Sequence, residues 1–280
     1  YMGANDVARQ HPNVFWMEML GATVVPVHRG TKTLTDAVDE AILAWAETYQ
    51  DTHYLLGSAV GPAPYPDMVR DFQSIIGREV RSQFDEMSGG LPDLMIACVG
   101  GGSNAMGFFA EFIDEPTVRL RAVEGGGRGQ EPGQHAARLA GMGKVDIHQG
   151  YKSYFLEDDA GDLMPTHSIS AGLDYVGVGP QLAHLHDAGR VEFTYALDDE
   201  ALDAMKFFAR HEGVIAALES GHAMAEVMKI APTMSSDESI VVNMSGRGDK
   251  DIFIAGAALD EKGEWLGFMK EEIARLEQSN

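Results

Sequence analysis

The chain has 280 residues, enough for one large domain or two smaller ones, and 45% of them are hydrophobic, enough to bury a core. A formal charge of −22 argues against polyanionic partners, so neither nucleic acid nor an anionic membrane is expected. The single cysteine, Cys98, excludes an internal disulfide framework and suits a reducing compartment such as the cytoplasm. No stretch has the length and apolarity of a membrane-crossing helix, and no signal-peptide pattern opens the chain.

Tyr1-Met2-Gly3-Ala4 runs straight into a helical pattern, as if the chain began in mid-domain. Asp6 reads as the N-cap of a helix carrying Val7, Phe15, Met19 and Leu20, with Pro12 marking a kink or a second start. A strand over 22–27, a helix over 33–49 and a short strand over 53–56 follow. Gly57-Ser58-Ala59-Val60-Gly61-Pro62-Ala63-Pro64-Tyr65-Pro66 then reads as a rigid irregular loop. A long amphipathic helix over 67–87 precedes an apolar strand over 94–99, a helix over 105–113 and a strand over 118–124. The chain is then glycine-rich and irregular to about Gly143. Short strands near 151–156 and 164–169 flank Asp158-Asp159-Ala160-Gly161-Asp162, which lacks calcium-loop spacing and reads as a solvated turn. Helices over 180–188 and 199–211, a strand over 191–197, a helix over 222–230, a strand over 240–244 and a helix over 265–276 complete the chain. Strands alternating with helices imply crossover connections and a mainly parallel, buried sheet.

The stretch Cys98-Val99-Gly100-Gly101-Gly102-Ser103-Asn104 organises the chain. Strand, glycine turn and helix start together aim backbone N–H groups and a partial positive charge at a phosphate. Ser103 is also a good N-cap, so the same residues suit a plain strand-to-helix turn. Ligands bind outside the carboxyl ends of strands in an open parallel sheet. Two more polar segments fall there, Glu219-Ser220-Gly221-His222 and 245–251, and the glycine-rich loop around Asp174 joins them.

Five segments carry a family resemblance: 56–66, Cys98 to Asn104, Ser168-Ile169-Ser170-Ala171-Gly172-Leu173-Asp174, His211 to Ser220, and Val242-Asn243-Met244-Ser245-Gly246-Arg247-Gly248-Asp249-Lys250-Asp251. In this order they resemble the β-subunit family of tryptophan synthases, pyridoxal-phosphate enzymes of fold type II. The resemblance implies an α/β fold of mainly parallel twisted sheets flanked by helices, with its N-terminal part missing. It also implies a partial communication-type subdomain over 1–57 and a cofactor-binding domain over 58–280. Gly100, Gly101, Gly102, Ser103 and Asn104 would hold the cofactor phosphate, and Gly57 and Ser58 would line the cofactor face. Ser245 would meet the pyridine nitrogen with a neutral hydroxyl, and Glu219 would lie near the ring hydroxyl. Arg9 and Asp174 would pair on closure, and a monovalent cation, Na⁺ or K⁺, would sit on carbonyls around Gly100, Tyr175 and Gly177. The implied reaction joins L-serine and indole. The implied partners are an α-subunit, touching the helix of Asp6, and a second β copy. His148-Gln149 would fall where some relatives gate an indole tunnel.

The departures bear on activity. The family's cofactor-anchoring lysine lies in a His-Lys motif, and none of Lys32, Lys144, Lys152, Lys206, Lys229, Lys250, Lys262 and Lys270 has that context. The family's general acid and its loop for the substrate carboxylate also have no counterpart here. Two other readings therefore stand beside the synthase: a serine or threonine dehydratase relative, and a fragment acting only by binding. Such a fragment is expected to expose apolar faces and strand edges and to need a completing partner.

Overall fold

The computed structural model describes residues 1–279. In chain order the elements are β1 (Met2–Gly3), α1 (Ala4–Arg9), α2 (His11–Met19), β2 (Pro26–Val27), α3 (Leu34–Thr48), α4 (Tyr65–Gln73), α5 (Ile75–Ser88), β3 (Leu94–Val99), α6 (Ser103–Phe109), β4 (Arg119–Gly127), β5 (Lys144–His148), β6 (Tyr151–Phe155), α7 (Pro180–Asp187), β7 (Val191–Leu197), α8 (Asp198–Glu212), α9 (Leu218–Ile230), β8 (Ile240–Val242), α10 (Ile252–Leu259) and α11 (Glu264–Ser279).

The main sheet has the order β7-β4-β3-β8, and every pairing in it is parallel. All six residues of β3 are buried, as expected for a strand covered on both faces. Its alternation divides the core. Met95, Ala97 and Val99 pack in one cluster with Phe108, Phe109 and Phe112 of the α6 region, whereas Leu94, Ile96 and Cys98 pack in another with Ala223 and Met224 of α9. Burial pushes the Cys98 thiol up to about 12, which makes it a core residue rather than a nucleophile.

Several expected boundaries move. Asp6 is not an N-cap; it lies inside α1, buried and ion-paired to Arg9 at 2.6 Å. Pro12 opens a second helix at its second position, where a missing N–H costs nothing. The strand expected over 22–27 shrinks to β2, and no strand forms over 53–56 or 164–169; just before the latter, an isolated bridge joins Glu157 to Leu163. The helix over 67–87 is divided at Ser74, whose hydroxyl donates to Asp71 O at 2.7 Å. α9 starts at Leu218, so Glu219 stands in its first turn. α10 lies in a stretch that carried no helix in the sequence reading, and β5 starts where irregular chain was expected to end. β5 and β6 form an antiparallel hairpin around Gln149 (φ 50°) and Gly150 (φ 82°), two positive-φ residues that give a turn matched to strand twist. At the acidic tip, Asp158 Oδ1 accepts from Ala160 N and Asp162 N, a self-contained turn.

One buried ion pair joins the sheet to the loops at its carboxyl edge. Glu124 on β4 and Arg138 in the irregular chain beyond it are both fully buried, with Arg138 Nε 3.0 Å from Glu124 Oε1. Glu124 Oε2 accepts from the backbone N–H groups of Arg138 and Ala140, each at 2.9 Å. The guanidinium donates to Tyr175 O at 2.5 Å, Gly100 O at 2.8 Å and Val99 O at 3.2 Å. Burial raises the Glu124 carboxyl and Arg138 opposes that rise, so replacing Arg138 with Met leaves a buried acid without its cation, and stability is expected to fall by about 3–5 kcal/mol in urea denaturation. Adding Glu124→Gln to that variant recovers part of the loss, and no recovery in the double variant would show that the two residues do not act as a pair.

Candidate functional site

The glycine turn after β3 is shaped by close approach. A Cβ on Gly100 would lie 2.2 Å from Gly172 O, and one on Gly101 would lie 2.0 Å from Ser58 Oγ; Gly102 has φ 108°. Gly101 O accepts from Gly179 N at 3.0 Å, tying the turn to the start of α7. Asn104 Nδ2 donates to Cys98 O at 3.1 Å, and Asn243 Nδ2 donates to Asn104 Oδ1 at 3.1 Å, so the helix start is fastened to the ends of both β3 and β8.

These residues wall a cavity of about 410 Å³ lined by Gly57, Ser58, Cys98, Gly100, Gly101, Gly102, Ser103, Asn104, Gly172, Tyr175, Glu219 and Ser245 among others. Ser245 Oγ lies 3.3 Å from Ser220 Oγ and 3.5 Å from Cys98 Sγ. Glu219 Oε1 accepts from Gly172 N at 3.0 Å, and its other oxygen accepts from Lys250 Nζ at 2.9 Å. Lys250 also reaches Asp251 Oδ1 at 2.6 Å, while Asp251 Oδ2 accepts from Leu218 N at 2.9 Å and so secures the start of α9. Burial works to raise the Glu219 carboxyl, but the neighbouring Lys250 ammonium outweighs it and holds the carboxyl below its ordinary value. Burial lifts Asp251 and opposes charge on Lys250, yet the two carboxylates keep the Lys250 pKa raised.

Arg9 and Asp174 meet outside this lining. Arg9 Nη1 is 2.9 Å from Asp174 Oδ2, and its Nε is 2.6 Å from Asp6 Oδ1, so one arginine joins α1 to the Asp174 loop. Asp174 is buried, and its Oδ1 has no hydrogen-bond partner among the described residues. Gly177 also lies away from the cavity, packed against Phe155 and Tyr151. Of the carbonyls expected to face a monovalent cation, those of Gly100 and Tyr175 already accept from Arg138.

Three residues that the sequence reading did not single out matter here. Lys250 sat inside a recognised segment without a role, although a lysine between two acids is a readable signal. Asp251 and Arg138 gave less; for Arg138 the one clue is a lone charge in the run Ala136-Ala137-Arg138-Leu139. Among the described residues no lysine lines the cavity, and Lys250, hydrogen-bonded to the lining residue Glu219, is clamped by two carboxylates.

A second, more apolar cavity of about 780 Å³ adjoins the first, sharing Val38, Leu56 and Val60 with it. Gln149 borders it, accepting from Tyr175 Oη at 2.6 Å and donating to Asp39 Oδ1 at 2.9 Å.

Residues 4–246 match the family described as pyridoxal-phosphate dependent enzyme. The tryptophan synthase beta chain of Helicobacter hepaticus is 54% identical over 277 residues, covering 99% of this chain and 66% of that protein. The tryptophan synthase beta chain of Methylibium petroleiphilum is 56% identical over 252 residues, covering 90% of this chain and 61% of that protein. The chain thus spans somewhat less than two thirds of the length of these relatives.

Replacing Lys250 with Met leaves Glu219 and Asp251 to burial, which raises both carboxyls. In the parent protein the depressed Glu219 value contributes stability above the ordinary carboxylate pKa of about 4.3, lost as pH falls through the lower folded value. In the variant that contribution reverses, because charging a raised carboxyl costs stability. The stability gap between parent and variant is therefore expected to widen from pH 4 to pH 7, reaching about 2 kcal/mol in urea titrations. A gap independent of pH would contradict the assignment.

Proposed function

Because the chain belongs to the pyridoxal-phosphate-dependent enzyme family, we propose that it is the cofactor-holding part of a tryptophan synthase β-type subunit, joining L-serine and indole to give L-tryptophan and water. The observation that carries this reading is the convergence of the glycine turn, Glu219 and Ser245 on one cavity, with α1 tied to the neighbouring Asp174 loop. The close-packed glycines leave backbone as the wall of the cradle, which suits a phosphate. When bound, the cofactor ring draws off negative charge developing at the substrate α-carbon.

The chain's own residues divide the remaining work. N–H groups at Gly100, Gly101, Gly102, Ser103 and Asn104 hold the phosphate. The Ser245 hydroxyl, a neutral group on the cavity wall, would meet the pyridine nitrogen and leave it unprotonated, which would favour elimination and replacement over transamination. Glu219 stays ionised because of Lys250 and would sit by the ring hydroxyl, with Gly57 and Ser58 lining the cofactor face. The Arg9–Asp174 pair draws residues 1–57, the communication-type subdomain, onto the cofactor domain of 58–280 and excludes water. A Na⁺ or K⁺ ion on the carbonyls of Gly100, Tyr175 and Gly177 belongs to the same reading, and it would share two of those oxygens with Arg138.

The apolar cavity beside Gln149 suits indole. The exposed Phe15, Trp16, Met19 and Leu20 on and just beyond α2 suit an α-subunit surface, and a β–β dimer in the cytoplasm completes the assembly. With no lysine on the cavity wall, the covalent anchor and the general acid are assigned to a part of the subunit outside these residues, and the 280-residue chain alone is expected to bind rather than turn over. In the whole subunit, Asp174→Asn should lower tryptophan formation from L-serine and indole about hundredfold while pyridoxal phosphate remains bound. Release of pyruvate with no tryptophan formed would instead favour the dehydratase reading.

A further inference from the structure

The β5–β6 hairpin carries a group of side chains that the cofactor site does not use. Asp146 and His148 are two apart on β5 and share a face, and Glu157 follows β6 by two residues. One donor atom from each lies within 4.8 Å of the others. His148 Nε2 is 3.3 Å from Glu157 Oε1 and 3.8 Å from Asp146 Oδ2. Zinc bonds of about 2.0–2.1 Å in a tetrahedron place ligand atoms roughly 3.3 Å apart, so one edge is already set. Asp146 is exposed and has the freedom to set the other.

Burial adds an independent sign. The Glu157 side chain is 5% exposed, and His148 is its only side-chain partner among the described residues. Lys144, on the same hairpin, is engaged by Asp158 O and Asp159. A carboxylate taken out of water without a cation is costly, and a dication would remove that cost. The donors are also oriented. Asp146 Oδ1 accepts from Ile147 N at 2.7 Å, leaving Oδ2 for His148, whose ring stands edge-on to Phe155 with centroids 4.8 Å apart.

We infer that Asp146, His148 and Glu157 bind one divalent first-row transition ion of the Zn²⁺ class. An imidazole with two carboxylates matches that class, whereas Ca²⁺ and Mg²⁺ take oxygen ligands. Three protein ligands leave a coordination position for water. The next residue, Gln149, bridges Asp39 on α3 and Tyr175 beside the cavity, so an ion here stiffens the hairpin where it touches the candidate site.

The test is calorimetric titration of the EDTA-treated full chain with ZnCl₂, with Co²⁺ visible absorption as the reporter of geometry. One Zn²⁺ per chain is expected, with tetrahedral Co²⁺ bands. Affinity should fall at least about tenfold in His148→Gln and again in Asp146→Asn, an exposed change that leaves the fold intact. Millimolar Mg²⁺ or Ca²⁺ should not displace the ion. Failure of Zn²⁺ to bind, affinity unchanged in both variants, or displacement by Mg²⁺ would each overturn the assignment.

Discussion

The Glu124–Arg138 ion pair is the constraint on which the rest depends. A carboxylate inside a buried parallel strand needs a partner, and Arg138 comes from irregular chain to supply it. Once there, its remaining N–H groups need acceptors, and they find them in the carbonyls of Val99, Gly100 and Tyr175. The same side chain thus fixes the end of β3, the first residue of the glycine turn and the loop beyond Asp174. Gly100 and Tyr175, whose carbonyls this arginine holds, both line the cavity.

Around that anchor each cation is matched by carboxylate: Arg138 behind the turn by Glu124, Lys250 by Glu219 and Asp251, and Arg9 at the Asp174 loop by Asp174 and Asp6. Each side chain among these is paired with carboxylate from a different segment. Lys250 joins α9 to the loop after β8, and Arg9 joins α1 to the loop before α7. The pairs therefore fix geometry as much as charge, and they leave the backbone N–H groups of the turn as the free donors.

Much of this was legible in the sequence where local rules and global packing agree. The apolar run of β3 and the alternation of strand and helix have one reading each, and the sheet is parallel as the crossovers require; the glycines after β3 mark a turn, which a phosphate cradle and a plain strand-to-helix connection share. The cavity gathers Gly57, Ser58, Glu219 and Ser245 with the glycine turn. What was not legible depends on contacts distant in sequence. Arg138 has no local pattern, because its partners lie 14, 38 and 37 positions away at Glu124, Gly100 and Tyr175. Asp6 looked like a cap because short acids often cap helices, yet its partner Arg9 holds it inside one. The hairpin was missed because Gln149-Gly150 is a rarer turn pair than Asn-Gly, and β5 has little buried surface to mark it.

The central claim is that the turn after β3 is a phosphate cradle rather than a plain strand-to-helix connection. The direct measurement is equilibrium dialysis of the chain against pyridoxine 5′-phosphate and against pyridoxine, neither of which can react with a lysine. Charge-assisted hydrogen bonds are worth about 1.5–3 kcal/mol each, so two or more to the phosphate predict binding of the phosphorylated compound roughly hundredfold tighter or better. Equal affinity for the two would mean that the turn holds no phosphate, and the account of the site would be wrong at its base.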